Sequence, residues 1–495
     1  MRLSSWTLVP ILAATLALGA CGGGGGGSSG SSSFAGPAAR NATVSVLLTD
    51  APSTQWDQAI ATITSVELIG SGGVVTLFSG SRTLDLLRLR DFSELFAVSD
   101  QVPAGSYSKI RLHVSNLVLN DLDAAGNVID SRVVQLVGNG KIDLNPRGPF
   151  TLQGGDVLFV ELDFDMDKSF KLTTTGGGRT ILRPVVFVDI RTARPAGRLA
   201  RIHGSITDIN AADGSLRLCQ SRFASAYPLL PLQDAGRNGD HDFDARHCVT
   251  VRTDALTGVF DSDGLPQDLA GLAVGEEATA IGRLRPLDAT RQGRRDDDFG
   301  HDRQPLALDA VIIEEGPLGT FRRIGGTVNA AADPATQVFD LAVAPGQGFS
   351  TGIALPVQLF DASRVFNRRG EELHAADIQP GIAALADGVL HLGAATVLRS
   401  PLVILDAGPV PAATKLEGSV VSVDVAHQSL RINDGSADRC VDAAQAQVFA
   451  VSAGDGFSST RIELGSLRSG QGIVAFGVER LDGCFVADTL IADAG

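Results

Sequence analysis

From residue 200 to the end, three short sequence anchors recur three times in the same order, and this repetition limits the chain more than any other feature. The opening anchor reads Arg201-Ile202-His203-Gly204-Ser205-Ile206, then Arg323-Ile324-Gly325-Gly326-Thr327-Val328, then Lys415-Leu416-Glu417-Gly418-Ser419-Val420. A glycine pair follows as Gly275/Gly282, Gly381/Gly388 and Gly470/Gly477, and the closing anchor is Asp309 to Gly316, Pro401 to Gly408 and Asp488 to Gly495. A fixed period of this kind signals one supersecondary unit used repeatedly. The units span 200–316, 322–408 and 414–495. Each holds five or six runs with strand character in roughly 80 to 120 residues, which predicts a small Greek-key barrel of the class that includes oligonucleotide-binding folds. Glycine inside such strands fits the tight bends of a small barrel.

The region 40–192 has a different grammar. Thr43 to Asp50, Ala59 to Ile69, Val74 to Phe78, Lys109 to Val114, Val133 to Val137, Val157 to Phe164 and Ile181 to Ile190 are β-branched or Leu-rich runs separated by turn residues. That spacing predicts an all-β domain, a sandwich or barrel. Two stretches, Ser53 to Ala61 and Asp91 to Val98, suit short helices. The fold class is all-β: an N-terminal β-sandwich followed by three small Greek-key β-barrel repeats.

Before residue 40 the sequence gives an address. Arg2 precedes an apolar run from Trp6 to Leu18 that ends in Leu18-Gly19-Ala20-Cys21, too short for the ~20 residues of a membrane span. The segment resembles a bacterial lipoprotein signal, 1–20, which implies cleavage before Cys21 and acylation of its sulfur. Residues 21–39 are the anchor and a tether that is only Gly and Ser from Gly22 to Ser33. By the same resemblance, Gly22 in place of Asp after the anchor implies the outer membrane, so the expected location is the cell envelope. Cys219, Cys248, Cys440 and Cys484 then remain, and an even count outside the cytosol reads as two disulfides. The repeat boundaries select Cys219 with Cys248 and Cys440 with Cys484. The rival zinc reading lacks any C-x-x-C pair.

Leu48-Thr49-Asp50-Ala51-Pro52, Pro103-Ala104-Gly105-Ser106-Tyr107, Leu162-Asp163-Phe164-Asp165 and Leu182-Arg183-Pro184-Val185 together resemble a domain-of-unknown-function family of bacterial lipoproteins. The resemblance implies an exported β-sandwich and no stated activity. The tandem unit over 200–495 is similar to a second uncharacterised bacterial repeat family, equally without an activity.

Chemistry is sparse. The chain of 495 residues carries 41 basic and 56 acidic side chains, net −15, with no basic block, so a nucleic-acid partner is not expected. Motifs for metalloproteases, phosphate loops and serine nucleophiles are absent outside the Gly/Ser tether. Two insertions of the first repeat are acidic and bear histidines: Asp240, Asp242 and Asp244 in one, Asp296, Asp298 and His301 in the other. Oxygen and imidazole donors of this kind suit a divalent cation if the loops converge; the alternative is a pair of solvated loops. No other cofactor is expected. Asp163 and Asp165 alternate along one strand face, with Asp50 as a third acid, and form the one candidate acidic site for a hydrolase. The leading expectation is non-enzymatic: a lipid-anchored string of β-domains that binds an unknown envelope or extracellular partner or acts as a spacer. Cation-dependent adhesion through the acidic loops is the second reading.

Overall fold

The computed structural model describes residues 41–493 except 50–55, 124–125, 147, 165–170, 175–179, 184–186, 192–196, 220–247, 287–305, 346, 348, 350–352, 394, 407–413, 454–456 and 481–482. Among the described residues, thirteen strands build the N-terminal region: β1 (Ala42–Thr49), β2 (Gln58–Gly70), β3 (Gly73–Asp85), β4 (Ser93–Val102), β5 (Gly105–Leu122), β6 (Val128–Val133), β7 (Gln135–Leu136), β8 (Lys141–Asn145), β9 (Phe150–Leu152), β10 (Val157–Asp163), β11 (Lys171–Thr174), β12 (Thr180–Arg183) and β13 (Phe187–Arg191). One sheet runs β13-β10-β1-β4 and the other β3-β2-β5-β8, with β6 and β9 also paired to β5. Val44, Val46 and Leu48 of the first sheet share a buried cluster with Ile63, Val66 and Leu112 of the second. The alternate residue Leu47 joins a different cluster, that of the first repeat. Both faces of β1 are therefore buried, which explains its nearly unbroken apolar sequence.

The helix expected over Asp91 to Val98 is a strand, β4, and residues 58–61 of the other expected helix open β2. The cause in β4 is a bulge. Ala97 lies opposite Val46 and Leu95 opposite Leu47, so Phe96 is the extra residue. Leu95 and Val98 then face the first repeat while Phe96 and Ala97 face the sandwich. A bulge restores one face after three residues, and that spacing reads as a helix.

Among the described residues, each repeated stretch contains seven strands. The first has β14 (Ala200–Asn210), β15 (Ser215–Cys219), β16 (Cys248–Arg252), β17 (Gly258–Phe260), β18 (Pro266–Gln267), β19 (Glu277–Pro286) and β20 (Leu306–Glu315). The second has β21 (Arg322–Ala330), β22 (Val338–Val343), β23 (Ala354–Gln358), β24 (Arg364–Asn367), β25 (Glu372–Leu373), β26 (Ala383–Leu392) and β27 (Thr396–Asp406). The third has β28 (Thr414–Asp424), β29 (Ser429–Asn433), β30 (Asp438–Asp442), β31 (Gln447–Ala453), β32 (Phe457–Arg461), β33 (Gly472–Glu479) and β34 (Phe485–Asp493).

Pairing closes the first stretch into a five-stranded barrel, β14-β15-β16-β20-β19 and back to β14, with β16 and β20 parallel. The second closes in the same way through β21-β22-β23-β27-β26. In the third, the corresponding strands β28, β29, β30, β34 and β33 pair in the same order.

The recurrent glycines have two distinct jobs. Gly275, Gly381 and Gly470 turn the chain with φ of 98°, 87° and 82°, a region that side chains disfavour. Gly282, Gly388 and Gly477 sit at register shifts between β19–β20, β26–β27 and β33–β34. A methyl group there would collide with the carbonyl oxygens of Asp309, Arg399 and Val486 respectively.

The modules do not hang as separate beads; the described residues belong to one compact unit. Ser93 and Glu94 of β4 pair in parallel with Ala200 and Arg201 of β14. Residues Ile142 to Asn145 of β8 pair in parallel with Phe457 to Thr460 of β32. The outer faces of the first two barrels meet through Phe260, Ile281, Ile312, Phe366, Leu402 and Ile404. Ile312 and Ile404 hold the same place in the closing anchor, so like packs on like. Hydrogen bonds cross between these two barrels in both directions: the Arg283 guanidinium donates to the Gly370 carbonyl (2.6 Å), while Arg399 donates to that of Asp263 (3.1 Å) and Arg364 to that of Leu256. The corresponding face of the third stretch, with Phe476 and Ile491, packs into the N-terminal core instead.

Candidate functional site

Most of the residues singled out from sequence lie outside the described residues: Cys21, Asp50, Asp165, Asp240, Asp242, Asp244, Asp296, Asp298 and His301. Asp163 is described. It is half-buried at the end of β10, opposite Thr49 of β1 and Phe187 of β13. Its neighbours Leu162 and Phe164 point the other way, into the sandwich core. Among the described residues, no three His, Cys, Asp or Glu side chains come together as a metal-binding group.

The residues that flank the two acidic insertions are among the described ones. Cys219 and Cys248 are directly opposite one another and disulfide-bonded, closing the segment between them at the end of β15 and β16. Thr250 pairs with Ala307, and Pro286 pairs with Leu306. Both insertions therefore leave the barrel at the same end. The second disulfide joins Cys440 to Cys484 and pins β30 beside β34, whose Val441 and Phe485 are paired. Cys248 and Cys440 stand on corresponding strands, but Cys248 bonds to Cys219 on β15 and Cys440 to Cys484, just before β34.

Where the N-terminal region and the first two repeats meet, the structure buries a group of charges. Arg201 on β14 and Arg323 on β21 are the first residues of their opening anchors. Glu94 of β4 lies between them, 3.7 Å from Arg201 Nη1 and 4.0 Å from Arg323 Nη2. Arg323 also lies over the Phe92 ring, 5.4 Å from its centroid. Two further carboxylates complete the group, Glu314 of β20 and Asp387 of β26, each 1% exposed. Neither has a hydrogen bond to its carboxylate oxygens. Burial, and then the nearby Asp387, pushes the Glu314 carboxyl well above the usual carboxylate range; Arg201 and Arg323 oppose that shift. Burying an unbonded carboxylate is costly, and holding a proton is the cheap remedy.

The same row of side chains carries a second displaced group. His203, Thr279 and Glu314 occupy directly opposed positions on β14, β19 and β20. His203 Nδ1 is 2.9 Å from Thr279 Oγ1, and its Nε2 is 3.7 Å from Glu277. Burial and the adjacent Arg201 lower its pKa to about 4, so the ring is neutral at neutral pH. The arrangement holds protons and neutral groups inside a joint. Its sequence trace is slight: a basic residue heads every opening anchor, and Asp387 stands where the other repeats have Ile281 and Phe476 before the bulge glycine.

A third feature links Asp91 of the N-terminal region to Arg368, which also pairs with Asp406 at 2.7 Å. Beside it the turn at Gly370 approaches Gly197 so closely that a side chain on Gly370 would strike the Gly197 carbonyl.

The fold and this joint define an all-β protein of several cross-paired modules. No helix among the described residues is long and apolar enough to cross a membrane, a statement that does not extend to strands. Residues 41–184 match the family described as Domain of unknown function (DUF4382), so the chain carries a DUF4382-like domain followed by further β modules. No curated protein matches the chain.

Proposed function

We propose that this chain is a lipid-anchored envelope protein, held by Cys21 at the outer membrane, that works by presenting surfaces as a binding or structural element and not by catalysis. The observation that carries this reading is the cross-pairing of modules: strands from the N-terminal region continue into the first and third repeated stretches. Such continuity makes a stiff body suited to holding a surface away from a bilayer. In this reading the third stretch is a third barrel, since its five strands repeat the pairing order of the other two. Labelled palmitate fed to producing cells tests the anchor. Label is expected in the native chain and absent from Cys21→Ser, which leaves the membrane fraction. Equal label in both would overturn the anchor, and substrate turnover abolished by Asp163→Asn would overturn the non-enzymatic part.

A second reading, cation-dependent binding by the acidic insertions of the first repeat, is favoured by their shared exit from one barrel end. Calorimetric titration with calcium, zinc and manganese separates the two readings. Binding tighter than millimolar that is lost in Asp242→Asn/Asp298→Asn supports the cation, and no heat rejects it.

A further inference from the structure

All six residues of strand β6 are exposed. Val128, Ile129 and Val133 are 52%, 68% and 75% exposed, unusual values for apolar β-branched side chains in a sheet. On one side β6 pairs with β5, regularly from Val118–Val133 to Asp121–Asp130 and then across a bulge at Ile129 to Leu122–Val128. Among the described residues no strand pairs with its other side. An exposed apolar edge is a template for another strand.

Natural edges are often guarded by charge that repels a second copy. The charges here do the reverse. In an antiparallel pairing of the regular stretch Asp130–Val133 with its own copy, only residues of equal parity face one another, because alternate residues aim their backbone groups at the free edge. Centred on Asp130, such a pairing sets Asp130 against Asp130; centred on Arg132, it sets Arg132 against Arg132. Centred on Ser131, it sets Asp130 against Arg132 twice, with Ser131 against its own copy between them. Opposed charges stabilise a ladder, and like charges directly opposite destabilise it. One register is therefore selected.

We propose that β6 is a self-association edge, through which two copies of this chain join by antiparallel pairing centred on Ser131. Within one chain Arg132 already meets Asp130 at 3.3 Å and lies over the Trp56 ring at 5.2 Å. Both partners of that ion pair are about half exposed, 55% and 51%, and such pairs contribute little, so exchanging it for the intermolecular one costs little. The association is isologous and closes at two copies. It holds whether or not Cys21 is acylated; anchoring two copies in one leaflet would raise their effective concentration.

Cysteine crosslinking and charge exchange test it on the purified mature chain. Under mild oxidation Ser131→Cys is expected to give a disulfide-linked dimer at least tenfold more than Val74→Cys, a control 58% exposed on β3. Asp130→Arg and Arg132→Asp are each expected to weaken self-association at least tenfold in sedimentation analysis. Mixing these two variants restores dimers, since each then faces its opposite charge. Crosslinking of Ser131→Cys no better than the control, or single-charge variants that dimerise like the native chain, would overturn the proposal.

Discussion

At the scale of single residues, the buried groups at the joint make stability depend on pH in two opposite senses. Glu314 holds its proton more tightly folded than unfolded, so its contribution is complete below the unfolded value of about 4.5 and is lost as pH rises toward its raised folded value. His203 behaves in the contrary way. Its folded pKa of about 4 lies under an unfolded value of about 6.5, so its contribution is complete above about 6.5 and fades as pH falls toward 4. Glu314→Gln keeps the shape of the neutral acid and is expected to raise the melting temperature at pH 8 while leaving pH 4.5 nearly unchanged, a gain of about 1–3 kcal/mol. His203→Gln is expected to remove most of the loss between pH 6.5 and 4, on the order of 3 kcal/mol. Thermal melts across pH read both; an unchanged slope on the alkaline side in Glu314→Gln would show that the carboxyl is not the source.

At the scale of elements, the bulge glycine carries the repeat. Gly388→Ala forces a methyl group against the Arg399 carbonyl where two strands shift register, and Gly370→Ala does the same at the Gly197 carbonyl from a backbone with φ of 74°. Each is expected to cost roughly 2–4 kcal/mol, readable as a lower denaturant midpoint. Alanine at Gly435, which has φ of 91° and open space around it, should cost only the backbone term, about 1 kcal/mol. This is also the level at which the sequence is most legible. The opening and closing anchors and the glycine pairs marked the repeated strands and their tight bends in advance, and the disulfide partners followed from the repeat boundaries; that the second glycine of each pair sits at a bulge is visible only in the strand pairing. What escaped was whatever depends on contact between distant segments. Phe96 hid a strand as a helix because a bulge mimics helical spacing. Asp387, one acid in an apolar strand, gains meaning only beside Glu314, which lies in another module.

At the scale of the whole molecule, period and composition announced separate units but not their joining. The outer residues Ile312 and Ile404 look like ordinary alternation until the barrels are placed face to face, and the pairing of β8 with β32 links segments more than 300 residues apart. Each disulfide closes a loop of moderate length, separations of 29 and 44 residues, and its reduction is expected to cost about 2–4 kcal/mol. Because those losses fall on modules that share sheets and cores, destabilising one module should lower the unfolding of all. Differential scanning calorimetry of the oxidised chain and of Cys440→Ser/Cys484→Ser tests this central claim of one cross-paired body. The account predicts a single transition in each, shifted down as a whole in the variant, with matching calorimetric and van't Hoff enthalpies. Several resolved transitions, with only one moved by the variant, would contradict it.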